Sequence, residues 1–293
     1  MTSTSRNQYD SRDEKYRICI VAPPGYVHAA CFTEVAYLLK SSFDTLGLEG
    51  DIVANSMDIA RINIVLGCHL LQFEEQLKAY RYVPYQLEQL SLNEGAFNDN
   101  LRNVLAHAYQ VWDYSQENIE FLSRFDIPAQ LLPVGYHENL EVIPQSVDKT
   151  VDVLFYGSVQ QRRKAILDRL AADPGIRLKH LFGAYSKERD AWIAQAKIVL
   201  NIHHYSARIF EAVRISYLLN NRCFVISEHS DVYPYAGVNL VRVSYDNLVA
   251  ACREYAQQPG RMHEIAAGNY TEFKTNFAMP SLLQKVLSSS QPR

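Results

Sequence analysis

The sequence predicts an α/β chain folded as two doubly wound parallel sheets. Two observations carry this. Between residues 16 and 135, short apolar runs alternate with helix-length amphipathic stretches, the pattern of strands covered by helices on both faces. Beyond residue 150, two strand–helix units follow, VDVLFYGS at 151–158 leading into a basic helix, and KIVLNI at 197–202 leading to a helix and the strand CFVIS at 223–227. Each strand ends at a turn or a polar residue, where open α/β sheets bind ligands.

In the first half, 18–22 reads as a buried strand, followed by the turn Pro23-Pro24-Gly25 and a helix to about Ser42. Residues 50–56 and 61–71 supply the second and third strands, and 80–91 a fourth with a helix behind it. A strand ending near Tyr114 precedes a helix that Ser115 caps, running through Glu117 and Phe121. The run Leu132-Pro133-Val134-Gly135 follows.

In the second half, Gly157 ends a strand where a tight turn lets backbone approach a ligand. A helix starts near Gln160 with Ile166, Leu167 and Leu170 on its apolar side. Arg162, Arg163 and Lys164 stand in its first turn, where cations oppose the helix dipole. Either a phosphate offsets that cost or this is a solvated basic turn. Residues 187–197 read as a short amphipathic helix whose charges form a solvated face. The helix over 206–221 has Ser206 as N-cap and Asn220-Asn221 as its stop, with Ile209, Val213, Ser216 and Leu219 or Asn220 on one face. Glu211 lies in or near its first turn, either bonding ribose hydroxyls or simply opposing the helix dipole.

Length suits two domains. The 293 residues divide into a polar tail at 1–15 read as disordered, one domain at 16–145, a second at 146–279, and a last helix at 280–293 that crosses back to the first. A hydrophobic fraction of 48% supports sizeable cores. A net charge of −3 gives no global attraction to nucleic acid. The five cysteines are odd in number and lack C-x-x-C spacing, which favours buried thiols over disulfides or zinc. No apolar leader opens the chain and no run reaches the ~18 apolar residues of a membrane span, so the expected compartment is the cytoplasm.

The segment 151–228 resembles the donor-binding half of GT-B glycosyltransferases, in particular the retaining group-1 type with its Glu-x7-Glu motif. Glu211 matches the second Glu, which holds the donor ribose. The first falls on His203, so an imidazole replaces the carboxylate near the transferred sugar. Gly157, Ser158 and Arg163 are similar to the Gly-Arg-Leu-x-x-x-Lys stretch that grips the diphosphate, with Ser158 departing from its Arg and Arg163 replacing its Lys. The resemblance extends in layout to the first half, where Gly25, Tyr26 and His28 fall on the acceptor side of an interdomain cleft.

The resemblance implies two Rossmann-like domains facing that cleft. It implies an enzyme moving a sugar from a nucleotide-diphosphate sugar, a UDP- or GDP-sugar first among them, to an acceptor hydroxyl. No cofactor is implied, and the metal-binding Asp-x-Asp signature of the other large glycosyltransferase fold is absent. Arg162 and Lys164 assist on the phosphates, Tyr185 flanks the base, and His203 with Glu228 faces the sugar. His28 meets the acceptor or the phosphate, as a general base or as a positioning group. Each has a plainer alternative: His28 bonded to local backbone, Tyr185 as a loop residue, and Glu228 capping the turn after it. Tyr80, Tyr82 and Tyr85 either line an acceptor groove or sit as amphipathic residues at sheet edges. A nucleotide-sugar epimerase and a non-catalytic sugar- or nucleotide-binding protein share the layout. A dehydrogenase does not, because no G-x-G-x-x-G follows either first strand.

Overall fold

A computed structural model describes residues 14–92, 97–145, 148–205 and 208–289. The first sheet contains β1 (Lys15–Ile20), β2 (Glu49–Ala54), β3 (Ile62–Leu66), β4 (Arg81–Gln86), β5 (Trp112–Asp113) and β6 (Gln130–Leu131) in the order β2-β1-β3-β4-β5-β6. Its helices are α1 (Thr33–Thr45), α2 (Asp99–Ala106) and α3 (Gln116–Ser123). In the second part come β7 (Val151–Tyr156), α4 (Gln161–Ala171), β8 (Leu178–Leu181), α5 (Ser186–Gln195) and β9 (Ala196–Asn201). They are followed by α6 (Ala212–Asn220), β10 (Val225–Glu228), β11 (Val241–Val243), α7 (Leu248–Ala256), α8 (Pro259–Asn276) and α9 (Met279–Ser289). The second sheet has the order β11-β10-β9-β7-β8. Neighbouring strands pair in parallel, as in Ile18 opposite Ile64 and Val153 opposite Ile198. All carboxyl ends of a sheet therefore face one way.

The central strands are buried on both faces because their residues are. Every residue of β3 is buried, including Asn63, whose amide donates to the carbonyls of Asp58, Arg61 and Arg81 and accepts from the Asp58 amide. A buried amide so paired costs the fold little. Ser115 caps α3 as expected, its side chain accepting from the Asn118 amide.

One buried apolar cluster joins the two sheets, from Leu38 and Leu39 of α1 through Ile215 and Leu218 of α6 to Met279 and Leu283 of α9. The chain returns to the first layer at residue 277. Tyr136 N donates to Phe277 O at 2.7 Å and Met279 N to Tyr136 O at 2.8 Å, and α9 then packs on α1. Gly135 is what permits this approach, since a Cβ there would lie 2.4 Å from the Phe277 carbonyl. No helix among the described residues is long and apolar enough to cross a membrane.

Three local expectations are corrected. No helix follows β4 over 87–91; that stretch is irregular backbone whose polar groups are met by the side chains of Gln86 and Asn118. Tyr82 and Tyr85 line no groove. They are fully buried and donate to the carbonyls of Val104 and Leu132 at 2.7 and 2.8 Å. The helix expected from Ser206 starts at Ala212; Ser206 itself lies outside the described residues.

Asp152 in β7 makes an acid-sensitive tie. Its buried carboxylate accepts from Arg177 Nε at 2.8 Å and meets Lys197 Nζ at 2.7 Å. Arg177, with Lys197, holds the carboxyl well below the usual range. A depressed carboxylate stabilises the fold above its unfolded pKa of about 4, and the contribution fades as pH falls below that. Asp152→Asn is therefore expected to lose about 1–3 kcal/mol at neutral pH, with the gap to wild type narrowing in thermal melts below about pH 4.

Candidate functional site

The carboxyl ends of β1, β4, β5, β7, β8 and β9 lead into the loops around a cleft of about 480 Å3 between the two sheets. On the second-sheet wall, β7 ends at Gly157, whose φ of +133° a side chain rarely adopts. The helix α4 starts directly after this turn, with no side-chain cap on its free amides. Arg163 points back under the turn. It is buried, with Nε donating to Ile202 O at 2.9 Å and Nη1 to Ser158 O at 3.1 Å. Arg214, in the first turn of α6, reaches the same place. Its guanidinium lies 4.9 Å over the Tyr156 ring, and Nη2 is 3.0 Å from where a Gly157 Cβ would stand.

Two cations so close oppose each other's charge. Burial, and then Arg214, push the Arg163 guanidinium down to about 10, which leaves it charged at neutral pH. No carboxylate stands within ion-pair distance of Arg214 among the described residues. Such a pair is a place for an anion.

Glu211 sits beside them at the N-cap of α6. Asn201, fully buried at the end of β9, orients both neighbours: its Nδ2 donates to Glu211 Oε2 at 2.8 Å and its Oδ1 accepts from Arg214 Nη1 at 2.9 Å. His203 Nδ1 also lies 2.9 Å from Glu211 Oε2, an electrostatic contact without the in-line geometry of a hydrogen bond. Burial raises the Glu211 carboxyl, but His203, Arg214 and Asn201 outweigh it and hold the group below the ordinary range. Oε1 is buried and has no hydrogen-bond partner among the described residues, with Arg163 at 3.9 Å.

The first-sheet wall is formed by Tyr26, His28, Glu34, Glu88 and Tyr114. It is tied across the cleft at three points. His28 Nδ1 meets the Tyr185 hydroxyl at 2.5 Å, Gln89 Nε2 donates to Ile209 O at 2.9 Å, and Arg189 Nη2 pairs with Glu34 at 2.9 Å.

The cleft thus brings together Tyr26, His28, Gly157, Ser158, Arg163, Tyr185 and Glu211. It excludes others that the sequence suggested. His203 is completely buried behind Glu211, its Nε2 between the Ser230 hydroxyl and the His229 carbonyl, each at 3.2 Å. It stands against Glu211 and is not among the residues that line the cleft. Glu228 is buried too and is engaged by Arg162, Nη1 to Oε2 at 2.6 Å, and by the His203 amide. Arg162 accordingly points away from the cleft, stacked on Tyr245. Lys164 is exposed and pairs with Asp168 one turn along α4. Gly25 serves the exposed turn before Tyr26 at φ +77°. The sequence reasoning passed over Arg214, Arg189, Glu34 and Glu88. Arg214 was within reach, because three residues after Glu211 is one helical turn.

No protein-family model matches the chain. It is 29% identical over 201 residues to uncharacterized protein L137 of Acanthamoeba polyphaga mimivirus, covering 67% of this chain and 26% of that protein. It is 28% identical over 173 residues to uncharacterized protein L140 of the same virus, covering 57% of this chain and 55% of that protein. The chain thus spans between about a quarter and about half the length of these relatives. Among solved structures it is similar to HepE of Anabaena, determined with UDP and glucose, with a TM-score of 0.62 at 13% identity over 94% of this chain and 100% of that one. The fold is GT-B. The T4 phage β-glucosyltransferase shares it at a TM-score of 0.56 and 11% identity, over 95% of this chain and 100% of that one. GT-B folds place two Rossmann-like sheets across a cleft, as the two sheets stand here.

Proposed function

We propose that the chain transfers a sugar from a nucleotide-diphosphate sugar to an acceptor hydroxyl, with the donor on the second-sheet wall of the cleft. The observation that carries this is Glu211. It is a carboxylate held ionised by its neighbours, with one oxygen hydrogen-bonded and the other without a hydrogen bond among the described residues, near Arg163 and Arg214. An anionic acceptor next to a cationic pocket matches a ribose hydroxyl next to a diphosphate. HepE, the structural neighbour determined with UDP and glucose, supports UDP as the first donor nucleotide to test.

In this reading Glu211 Oε1 accepts from the ribose. The Gly157–Ser158 turn, Arg163 and Arg214 hold the diphosphate and supply the positive charge that a bound metal provides elsewhere. Tyr185 flanks the base, and Tyr26 with His28 meets the acceptor side. The retention implied by the resemblance belongs to a glutamate at the place where this chain has the buried His203, so the proposal covers the transfer without it.

The test is calorimetric titration with UDP, GDP, ADP and CMP in the absence of metal. One diphosphate is expected to bind, and Glu211→Ala to weaken it about 10- to 100-fold, the worth of a hydrogen bond to a charged group. Binding by none of them, or equal binding by Glu211→Ala, overturns the assignment.

A further inference from the structure

The donor site leaves one carboxylate of the cleft unused. Glu88 follows β4 at the carboxyl edge of the first sheet and is held rigidly there. Its amide donates to Gln86 Oε1 at 2.8 Å, and its carbonyl accepts from Gln86 Nε2 at 2.6 Å and Asn118 Nδ2 at 2.8 Å. Leu90 N donates to Asn118 Oδ1 at 3.0 Å, and Asn118 Nδ2 also reaches Asp113 at 3.0 Å. Gln86, Asp113 and Asn118 are completely buried. A buried polar network is expensive to assemble. This one fixes the short irregular stretch that presents Glu88 to the cleft.

The charge of Glu88 is also uncommitted. Glu34 is paired with Arg189, and Glu211 with Asn201 and His203. Glu88 has no Lys or Arg at ion-pair distance among the described residues, and its titratable neighbour is His69, Nδ1 to Oε1 at 4.0 Å. Burial lowers the His69 pKa, so the ring is neutral at pH 7 and does not neutralise the carboxylate. His28, the other basic group on this wall, already has Nδ1 engaged by the Tyr185 hydroxyl.

We infer that Glu88 is the general base that takes the proton from the acceptor hydroxyl, and that transfer inverts the anomeric carbon. The inference rests on the glycosyltransferase reading and deepens it. As the acceptor oxygen bonds to C1, the bond from C1 to the diphosphate oxygen breaks and its electron pair leaves on the diphosphate beside Arg163 and Arg214. The acceptor proton passes to Glu88 and then to water in the open cleft. Glu88 lines the first-sheet wall and Arg163 with Arg214 the second, and a base acting on the acceptor oxygen serves a single displacement at C1, which inverts it.

Water serves as the acceptor in the test. Wild-type protein is incubated with UDP-glucose, UDP-galactose and UDP-N-acetylglucosamine, or with the GDP-sugars if GDP is the diphosphate that binds. Release of diphosphate and the anomer first formed are followed by proton NMR. The β-anomer is expected first from an α-linked donor. Glu88→Gln is expected to slow release by about 10²- to 10⁴-fold with diphosphate affinity unchanged, and formate is expected to restore activity to Glu88→Ala. Release at the wild-type rate in Glu88→Gln, the α-anomer first, or no release by a wild type that binds the diphosphate overturns the role of Glu88. Failure of the wild type to bind any diphosphate overturns instead the donor-site reading beneath it.

Discussion

Arg189→Met is expected to destabilise the fold by about 3–5 kcal/mol, because it strands buried charge. Arg189 on α5 is 7% exposed. Its guanidinium pairs with Glu34 of α1 at 2.9 Å and with Asp190 at 2.8 Å, and lies 4.5 Å over the Tyr217 ring. Burial opposes its charge, but Tyr156, Glu34 and Asp190 outweigh that and hold it protonated beyond the ordinary arginine. Tyr217 donates to the second Asp190 oxygen at 2.9 Å, so the group is a closed network between the two domains. Methionine fills the volume but leaves Glu34 and Asp190 without a counter-charge. The midpoint of denaturant unfolding measures the loss. The double variant Glu34→Gln, Arg189→Met is expected to recover part of it, because one stranded carboxylate is gone. A single variant as stable as wild type shows that the network contributes nothing net.

Gly157→Ala is expected to abolish donor binding while leaving a folded protein. At φ +133° an alanine is strained by about 1–3 kcal/mol. Its methyl would stand 3.0 Å from Arg214 Nη2 and 3.7 Å from Arg163 Nη1. Arg214 cannot swing away cheaply, being bonded to Asn201 and stacked on Tyr156. The substitution thus fills the space where backbone and both guanidinium groups meet an anion. Loss of two charge-assisted hydrogen bonds amounts to about 3–6 kcal/mol, or more than about 100-fold in affinity. Calorimetry with the diphosphate that binds wild type measures this, and melting curves separate it from unfolding. Wild-type affinity in Gly157→Ala removes the Gly157 turn from the donor site.

Much of the second-sheet wall is legible in the amino-acid order. The short-range pattern of β7, α4, β9 and β10 places Gly157 after a strand and Arg163 and Glu211 at helix starts, and the resemblance singles out these three among their neighbours. Arg189 shows the opposite case. Within 187–197 its neighbours Lys187, Glu188 and Asp190 make a charged run that reads as solvated. Its burial comes from Glu34, a residue 155 positions earlier that no local pattern connects to it. The burial of His203 and Glu228 has the same origin. Glu228 ends β10 and His203 follows β9, but Arg162 engages Glu228 and Glu211 lies against His203, pairings between segments distant in sequence or set by the turn between β9 and α6.

The sequence by itself determined the two parallel sheets, the glycine turn before α4 and the carboxylate at the start of α6, because periodicity, turn chemistry and helix starts are properties of neighbours along the chain. The tertiary structure alone decided which charges are paired and which are free. Arg214 joins Arg163, Glu88 has no Lys or Arg at ion-pair distance among the described residues, and Glu228 is paired away. Charge pairing depends on distance through space, and in this chain the partners that settle each case lie on different strands, helices and sheets.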